Sequence, residues 1–394
     1  MSSISRRSFL GTTASASVAA LSGNVTLAGR QNAAAQKVPV IHVTDLFRPH
    51  MDPDDHWDLA CVYALAYLGQ INLEAIVIDF PVKDRDPDVI AVAQMNHITG
   101  LAVPSVVGSS RPFASRRSIE PRTEQVGDNA AQLVLDILDA SPTPVIINTT
   151  GRCRDIAIAA TRNRELFSKK CARVYLNAGT GSPDPAQAAR LEYNVRLDPV
   201  AYATIFDLPC PVYWMPCFEQ MQSPWAVRQY GTFYRFRQSE ILPHLSDRMQ
   251  NFFAYMLGKI ETQNWLRYLT GPKDQSLLAE HSMQHRNMWC TAGFFHAAGK
   301  TVLQDGKIVP LSQAENNAVF TFEPISVSCN EDAVTRWTKD PNAKNRFVFN
   351  GLSQGKGVEG LLWLDEQHLG PLDPSRSQVH PKPPITILLV EANR

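Results

Sequence analysis

From residue 39 onward, apolar runs of strand length alternate with segments whose apolar residues recur at helical spacing. Residues 39–43 read as a strand, 53–68 as a helix, 73–78 as a buried strand, 87–99 as a helix and 103–107 as a strand. Residues 128–140 carry the clearest amphipathic period. Further strands are predicted at 144–148, 173–176 and 211–215, with helices starting at Arg154 and Asp198. Such alternation predicts an α/β fold: a single large Rossmann-like domain with a mostly parallel central sheet flanked by helices. Ligands of such sheets bind beyond the carboxyl ends of the strands.

Two segments break the rhythm. Residues 108–126 form a polar, Arg-rich stretch without apolar period, which predicts a loop. Residues 223–296 read as mainly helical and aromatic-rich, with Trp225, Tyr234, Phe252 and Trp265 among aromatics expected to serve helix packing. Strand-like runs return at 318–327 and 384–390. No internal repeat or flexible linker divides the chain.

Composition narrows the function classes. Hydrophobic residues make up 44% and charged residues 19% of 394, a globular balance rather than a disordered one. Lys plus Arg and Asp plus Glu both number 38, so bulk charge gives no reason to expect nucleic acid or an anionic membrane as partner. No apolar run reaches the roughly 18 residues that span a bilayer. The seven cysteines are odd in number and include no Cys-x-x-Cys, so neither a disulfide framework nor a zinc knuckle is indicated. Most are expected to be small buried hydrophobes.

The N-terminus reads as an address. Ser5-Arg6-Arg7-Ser8-Phe9-Leu10-Gly11 looks like a twin-arginine export signal, followed by a mildly apolar stretch and by Ala33-Ala34-Ala35 as a cleavage site. Residues 1–35 are thus expected to be a signal peptide and 36–394 the mature domain, periplasmic or secreted, with no membrane attachment after cleavage. Twin-arginine clients cross the membrane folded, which suits a protein that acquires a metal first.

The densest chemistry lies between the first strand and the first helix, where Asp45, Asp52, Asp54, Asp55 and Asp58 crowd together. Carboxylates this close repel unless protons or a cation offset their charge. Oxygen-only donors of this kind suit calcium or magnesium. The same residues also make a favourable helix start, with Asp52 as cap, Pro53 at the first position and two acids in the first turn. Asp45 tips the balance, because it ends a buried strand and there needs a strong partner.

Three blocks, in order, resemble the inosine-uridine-preferring nucleoside hydrolase family. They are Thr44-Asp45 with Pro53-Asp54-Asp55, the strand and turn of residues 145–157, and Leu191-Glu192-Tyr193-Asn194 running into Asp198-Pro199. The resemblance implies the family's α/β fold, one calcium ion per chain, and a water that attacks the anomeric carbon of ribose. It implies that Asp45 is calcium ligand and general base, that Asp55 is a bidentate ligand and that Arg154 gives its backbone carbonyl. Asp54, Glu192 and Asn194 would hold the ribose hydroxyls, with Asn177 beneath the sugar. The family's C-terminal His-Asp pair is replaced by Trp289-Cys290. Trp289 is a candidate for stacking on sugar or base, and cysteine is a poor ligand for calcium.

The leading expectation is an exported, calcium-dependent hydrolase of N-glycosidic bonds, acting on a nucleoside or related ribosyl compound. A non-catalytic carbohydrate- or nucleoside-binding protein, and a hydrolase with a changed glycan substrate, stand as alternatives. Family members are often dimers or tetramers, so a homo-oligomer is an open expectation. His50, His56, His97 and His285 are each candidates for the leaving-group acid, with none singled out.

Overall fold

Strand β1 (Val38–Thr44) is buried along nearly its whole length, as a central strand covered on both faces must be. The computed structural model describes residues 37–114, 128–222, 224–314 and 317–351. The signal expected at 1–35, most of the polar loop and the run at 384–390 lie outside these residues. After β1 come α1 (Asp54–Tyr67), β2 (Ile71–Ile78), α2 (Val89–Thr99), β3 (Ser105–Val107), α3 (Asp128–Ala140) and β4 (Val145–Thr149). Then follow α4 (Arg154–Arg162), β5 (Cys171–Asn177), α5 (Tyr193–Leu197), α6 (Pro199–Ile205) and β6 (Val212–Met215). These match the predicted strands and helices to within a few residues.

Local chemistry sets the boundaries. Asp88 caps α2 by accepting from Ala91 N–H at 3.1 Å, and Gly100 ends it in the left-handed region at φ 71°. Helix α1 is apolar almost all round, which marks it as an internal helix rather than a surface one.

The sheet has nine strands in the order β10-β9-β11-β6-β5-β4-β1-β2-β3, once β9 (Thr321–Cys329), β10 (Thr335–Lys339) and β11 (Arg346–Asn350) are added. From β11 to β3 every neighbouring pair is parallel, while β9 pairs antiparallel with both β11 and β10 and so alone runs against the other strands. Alternate side chains feed two cores, as the two-residue strand period requires. Val40, Ile76, Ile146 and Tyr175 pack with α1 and α2. Ile41, Val77, Ile147 and Val174 pack with α3, α4 and α6 on the other face.

The chain steps outward from β1 through β2 to β3, then returns to place β4 on the other side of β1. The switch point therefore falls between β1 and β4, where Val43 pairs with Thr149. Asp45 and Thr150 follow directly from these two strand ends.

Residues 223–296 depart from the mainly helical expectation. Strands β7 (Tyr234–Arg237) and β8 (His285–Met288) pair antiparallel, enclosing helices that include α7 (Asp247–Leu257); α8 (Thr291–Ala297) follows. Tyr234-Arg235-Phe236-Arg237 alternates buried and half-buried positions, a two-residue period too short to stand out beside aromatic-rich helices. All seven cysteines are buried, and none forms a disulfide. No helix among the described residues is long and apolar enough to cross a membrane.

Candidate active site

A cleft of about 430 Å³ opens at the switch point. Its walls include Asp45, Asp54, Asp55, Asn177, Glu192, Asn194 and Trp289, from strand ends and helix starts up to 244 residues apart. Seven of the eight site residues read from the sequence thus share one cleft. Arg154 is the exception.

The acidic floor is built from β1 and α1. Thr44 Oγ1 donates to Asp55 Oδ1 at 2.5 Å, and Thr150 Oγ1, which donates to Val43 O at 3.1 Å, lies 3.5 Å from the same carboxylate oxygen. Asp45 is pushed up to about 7, first by burial and then by the charge of Asp79, while a hydrogen bond with Asp55 pulls it back. Burial, then neighbouring aspartates, raise Asp54 and Asp55 well above the usual carboxylate range. Burial also pushes Asp58 up to about 8. Positive charge from Arg152 at Asp45 and from Arg286 at Asp54 offsets burial only in part.

Asp79, at the end of β2, holds the neighbouring turn. Its Oδ2 accepts from Arg152 N–H at 2.7 Å, and Gly151 sits so close that a side chain there would collide with the carboxylate. This explains the glycine in Thr150-Gly151-Arg152.

Glu192 is the cap of α5. Its Oε1 accepts from Asn194 N–H at 2.9 Å, and Oε2 from Gly179 and Val195 N–H at 3.1 and 3.4 Å. Burial raises its pKa although these three donors oppose it. A carboxylate has about four acceptor sites, so capacity toward a ligand remains. Asn194 donates Nδ2 to Thr150 O at 3.2 Å, while its buried Oδ1 has no partner and lines the cleft as a ready acceptor.

Asn177 is placed in the cleft floor but is fully engaged. Its Nδ2 donates to Met215 O at 2.8 Å and Thr232 Oγ1 at 3.0 Å, and its Oδ1 accepts from Cys290 Sγ at 2.9 Å. It shapes the floor beneath a ligand rather than offering a free hydrogen bond. Trp289 closes the far wall edge-on to Phe218, ring centroids 5.9 Å apart, with Nε1 buried and unpartnered.

Arg154 points away from the cleft. Its Nε donates to Asp198 Oδ2 at 2.6 Å and its Nη1 to Ser109 O at 2.8 Å, both fully inside the protein. Asp198 also accepts from Phe113 N–H at 3.0 Å and from Ala201 N–H at 3.2 Å, capping α6. The side chain is a structural tie, and only the backbone of Arg154 is free for any other part.

The family model for inosine-uridine preferring nucleoside hydrolases matches residues 50–324, well over half of the chain. The chain belongs to that family. It is thereby a hydrolase of the N-glycosyl class. The match begins after Thr44 and Asp45 and takes in Pro53-Asp54-Asp55. Among solved structures, the chain is similar to an inosine-uridine preferring nucleoside hydrolase from Bacillus anthracis, at 12% identity over 79% of this chain and 94% of that one, TM-score 0.40. It is also similar to a purine-preferring ribonucleoside hydrolase from Gardnerella vaginalis, at 12% identity over 78% and 92%, TM-score 0.36. A third is the effector protein XOO4466, at 12% identity over 78% and 89%, TM-score 0.45. A comparison with curated proteins gives no match.

Several features of this family member escaped the sequence reading. Phe218 and Trp225 join Trp289 in one aromatic wall, with Met221 beside it, and Trp225, 53% exposed, is no helix-packing residue. An exposed tryptophan has no signature in a single sequence, which is why it was grouped with core aromatics. His50 and His56 turn instead into a separate cavity of about 350 Å³, where His56 Nε2 meets Asp88 Oδ2 at 2.9 Å. No histidine lines the cleft among the described residues.

The cleft chemistry fits a hard cation. Oxygen donors cluster there with only part of their charge offset, by Arg152 and Arg286, and Asn194 Oδ1 in the cleft has no partner. Among the described residues no three His, Cys, Asp or Glu side chains already converge on one point. A cation there has main-chain carbonyls and water to draw on as well.

Proposed function

We propose that this protein is an exported, calcium-dependent N-glycosyl hydrolase acting on a nucleoside or a related ribosyl compound. The observation that carries this reading is the sharing of one cleft by Asp45, Asp54, Asp55, Glu192, Asn194 and an aromatic wall. Carboxylates and amides suit the hydroxyls of a sugar, and the aromatic wall suits the flat face of a base. The twin-arginine motif, read from sequence, supports export.

Asp45, Asp55 and the backbone carbonyl of Arg154 would hold the calcium ion. When bound it supplies the positive charge that makes water acidic enough to attack. Asp45 would act as general base toward the attacking water. Asp54, Glu192 and the unpartnered Oδ1 of Asn194 orient the ribose hydroxyls. As the bond between the anomeric carbon and nitrogen breaks, positive charge develops on the sugar, and the surrounding carboxylates stabilise it. The base departs against Trp289, Phe218 and Trp225.

The test is elemental analysis of the dialysed mature protein, followed by ribose release from a nucleoside panel. One calcium per chain and ribose release, lost by at least about 100-fold in Asp45→Asn, supports the reading. Calcium with ligand binding but no release would favour the non-catalytic sugar- or nucleoside-binding alternative.

A further inference from the structure

The second cavity, of about 350 Å³, has the size of a small-molecule site and shares no lining residue with the cleft. Its inner wall is basic. Arg48, half-buried on a two-residue strand paired with Asp86-Pro87, has no ion pair among the described residues. His56 is 1% exposed, and its Nε2 meets Asp88 Oδ2 at 2.9 Å. The other oxygen of Asp88 accepts from Ala91 N–H at 3.1 Å, so both oxygens of that carboxylate are engaged. His56 Nδ1 is left buried without a partner. The start of α2 joins the wall through Asp88 and Ile90, which brings the positive end of a helix to the cavity. Lys259, exposed and also without an ion pair among the described residues, stands at the mouth with the acids Asp86 and Glu261, where water screens all three. Deeper in, the charges acting on His50 are basic: burial first, then His56, Lys259 and Arg286, depress it to about 4 against a hydrogen bond with the Leu257 main chain.

We propose that this cavity is a second ligand site, for a small molecule carrying a phosphate group, with Arg48 and Lys259 answering its charge and His56 and the start of α2 orienting it. A guanidinium meets phosphate oxygens through paired N–H groups. The Asp88 carboxylate holds the ring proton of His56 on Nε2, which leaves Nδ1 as an acceptor. A phosphate group near its second ionisation carries an O–H that serves this acceptor, and a ring that gains a second proton donates from Nδ1 to the same oxygen. A carboxylate ligand at neutral pH has no such proton and carries less charge, so phosphate fits the wall better. The site depends neither on calcium nor on the glycosyl chemistry of the cleft.

The experiment is titration calorimetry of inorganic phosphate, and separately of acetate, into chelator-stripped and dialysed mature protein, so that no metal in the cleft holds the anion. Wild type is compared with Arg48→Gln, Lys259→Gln and the cleft variant Asp45→Asn, with a thermal melt of each. One saturable phosphate site per chain is expected, at least about 10-fold tighter than acetate and weakened about 10-fold or more by Arg48→Gln, which removes a hydrogen bond to a charged group. Lys259→Gln, at an exposed position, should weaken binding about 2-fold or more, and it keeps the test open if Arg48→Gln melts early. Asp45→Asn should bind phosphate as wild type does. Absence of a saturable phosphate site, acetate binding of equal strength, binding that either well-folded cavity variant leaves unchanged, or binding lost in Asp45→Asn each overturns the proposal.

Discussion

Thr44 Oγ1 lies 2.5 Å from Asp55 Oδ1, a buried hydrogen bond that ties the last residue of β1 to the first turn of α1. The two residues are eleven apart, and the segment between them takes His50 into the second cavity and Met51 to the wall of the cleft. The bond keeps Asp55 facing Asp45 despite that excursion. Thr44→Val keeps the shape but removes the donor, and a buried acceptor left short costs about 1–3 kcal/mol. Urea denaturation should show that loss, together with weaker calcium binding, while Thr44→Ser stays close to wild type.

Arg154 and Asp198 form a buried ion pair that joins α4 to α6. Removing one partner leaves an uncompensated charge. Arg154→Met should therefore lower stability by about 3–5 kcal/mol in chemical denaturation. Arg154→Met/Asp198→Asn should recover part of it, since Asp198 also caps α6 and an amide still accepts there. An unchanged midpoint in the single variant would remove the tie from the fold's account.

The metal-free protein should lose stability as pH rises from about 6.5 to 8. Burial first, and neighbouring charge second, hold Asp45 and Asp155 near 7; burial holds Asp58 near 8. An acid with a raised folded pKa keeps its proton longer in the native state, so its contribution is lost as pH climbs through that value. Burial depresses His42 to about 3 and His50 and His296 to about 4, which opposes this trend only below the ordinary histidine value of 6.5. Calorimetric melts in chelator should thus fall across that window by a few kcal/mol, on the order of one per titrating group. Saturating calcium should flatten the profile, because a cation answers the same charge. A flat profile in chelator would show these carboxyls to be unperturbed.

Trp289 tests the aromatic wall. Stacking of a base on an aromatic side chain is worth about 1–3 kcal/mol, so Trp289→Ala should raise KM for the hydrolysed nucleoside by about 10-fold or more. Trp289→Phe should recover most of it, and kcat should change less than KM if the contact is equal in ground and transition states. An unchanged KM would move base recognition to Phe218 and Trp225.

The strand and helix alternation, the mostly parallel sheet and the acidic cluster after β1 were all legible in the chain, because they depend on local period and neighbouring residues. Asp45, Asp54, Asp55, Glu192 and Asn194 were singled out through the blocks that resemble the family, and the structure brings them into one cleft. Tertiary structure decided the rest. Only packing brings Asp79 beneath Gly151, turns Arg154 inward to Asp198, engages the amide of Asn177 with Cys290, and sends His50 and His56 into another cavity. Hydrophobic period fixes which face of an element is buried, but the partner a buried polar atom finds depends on elements far away in the chain, and no local pattern encodes that distance.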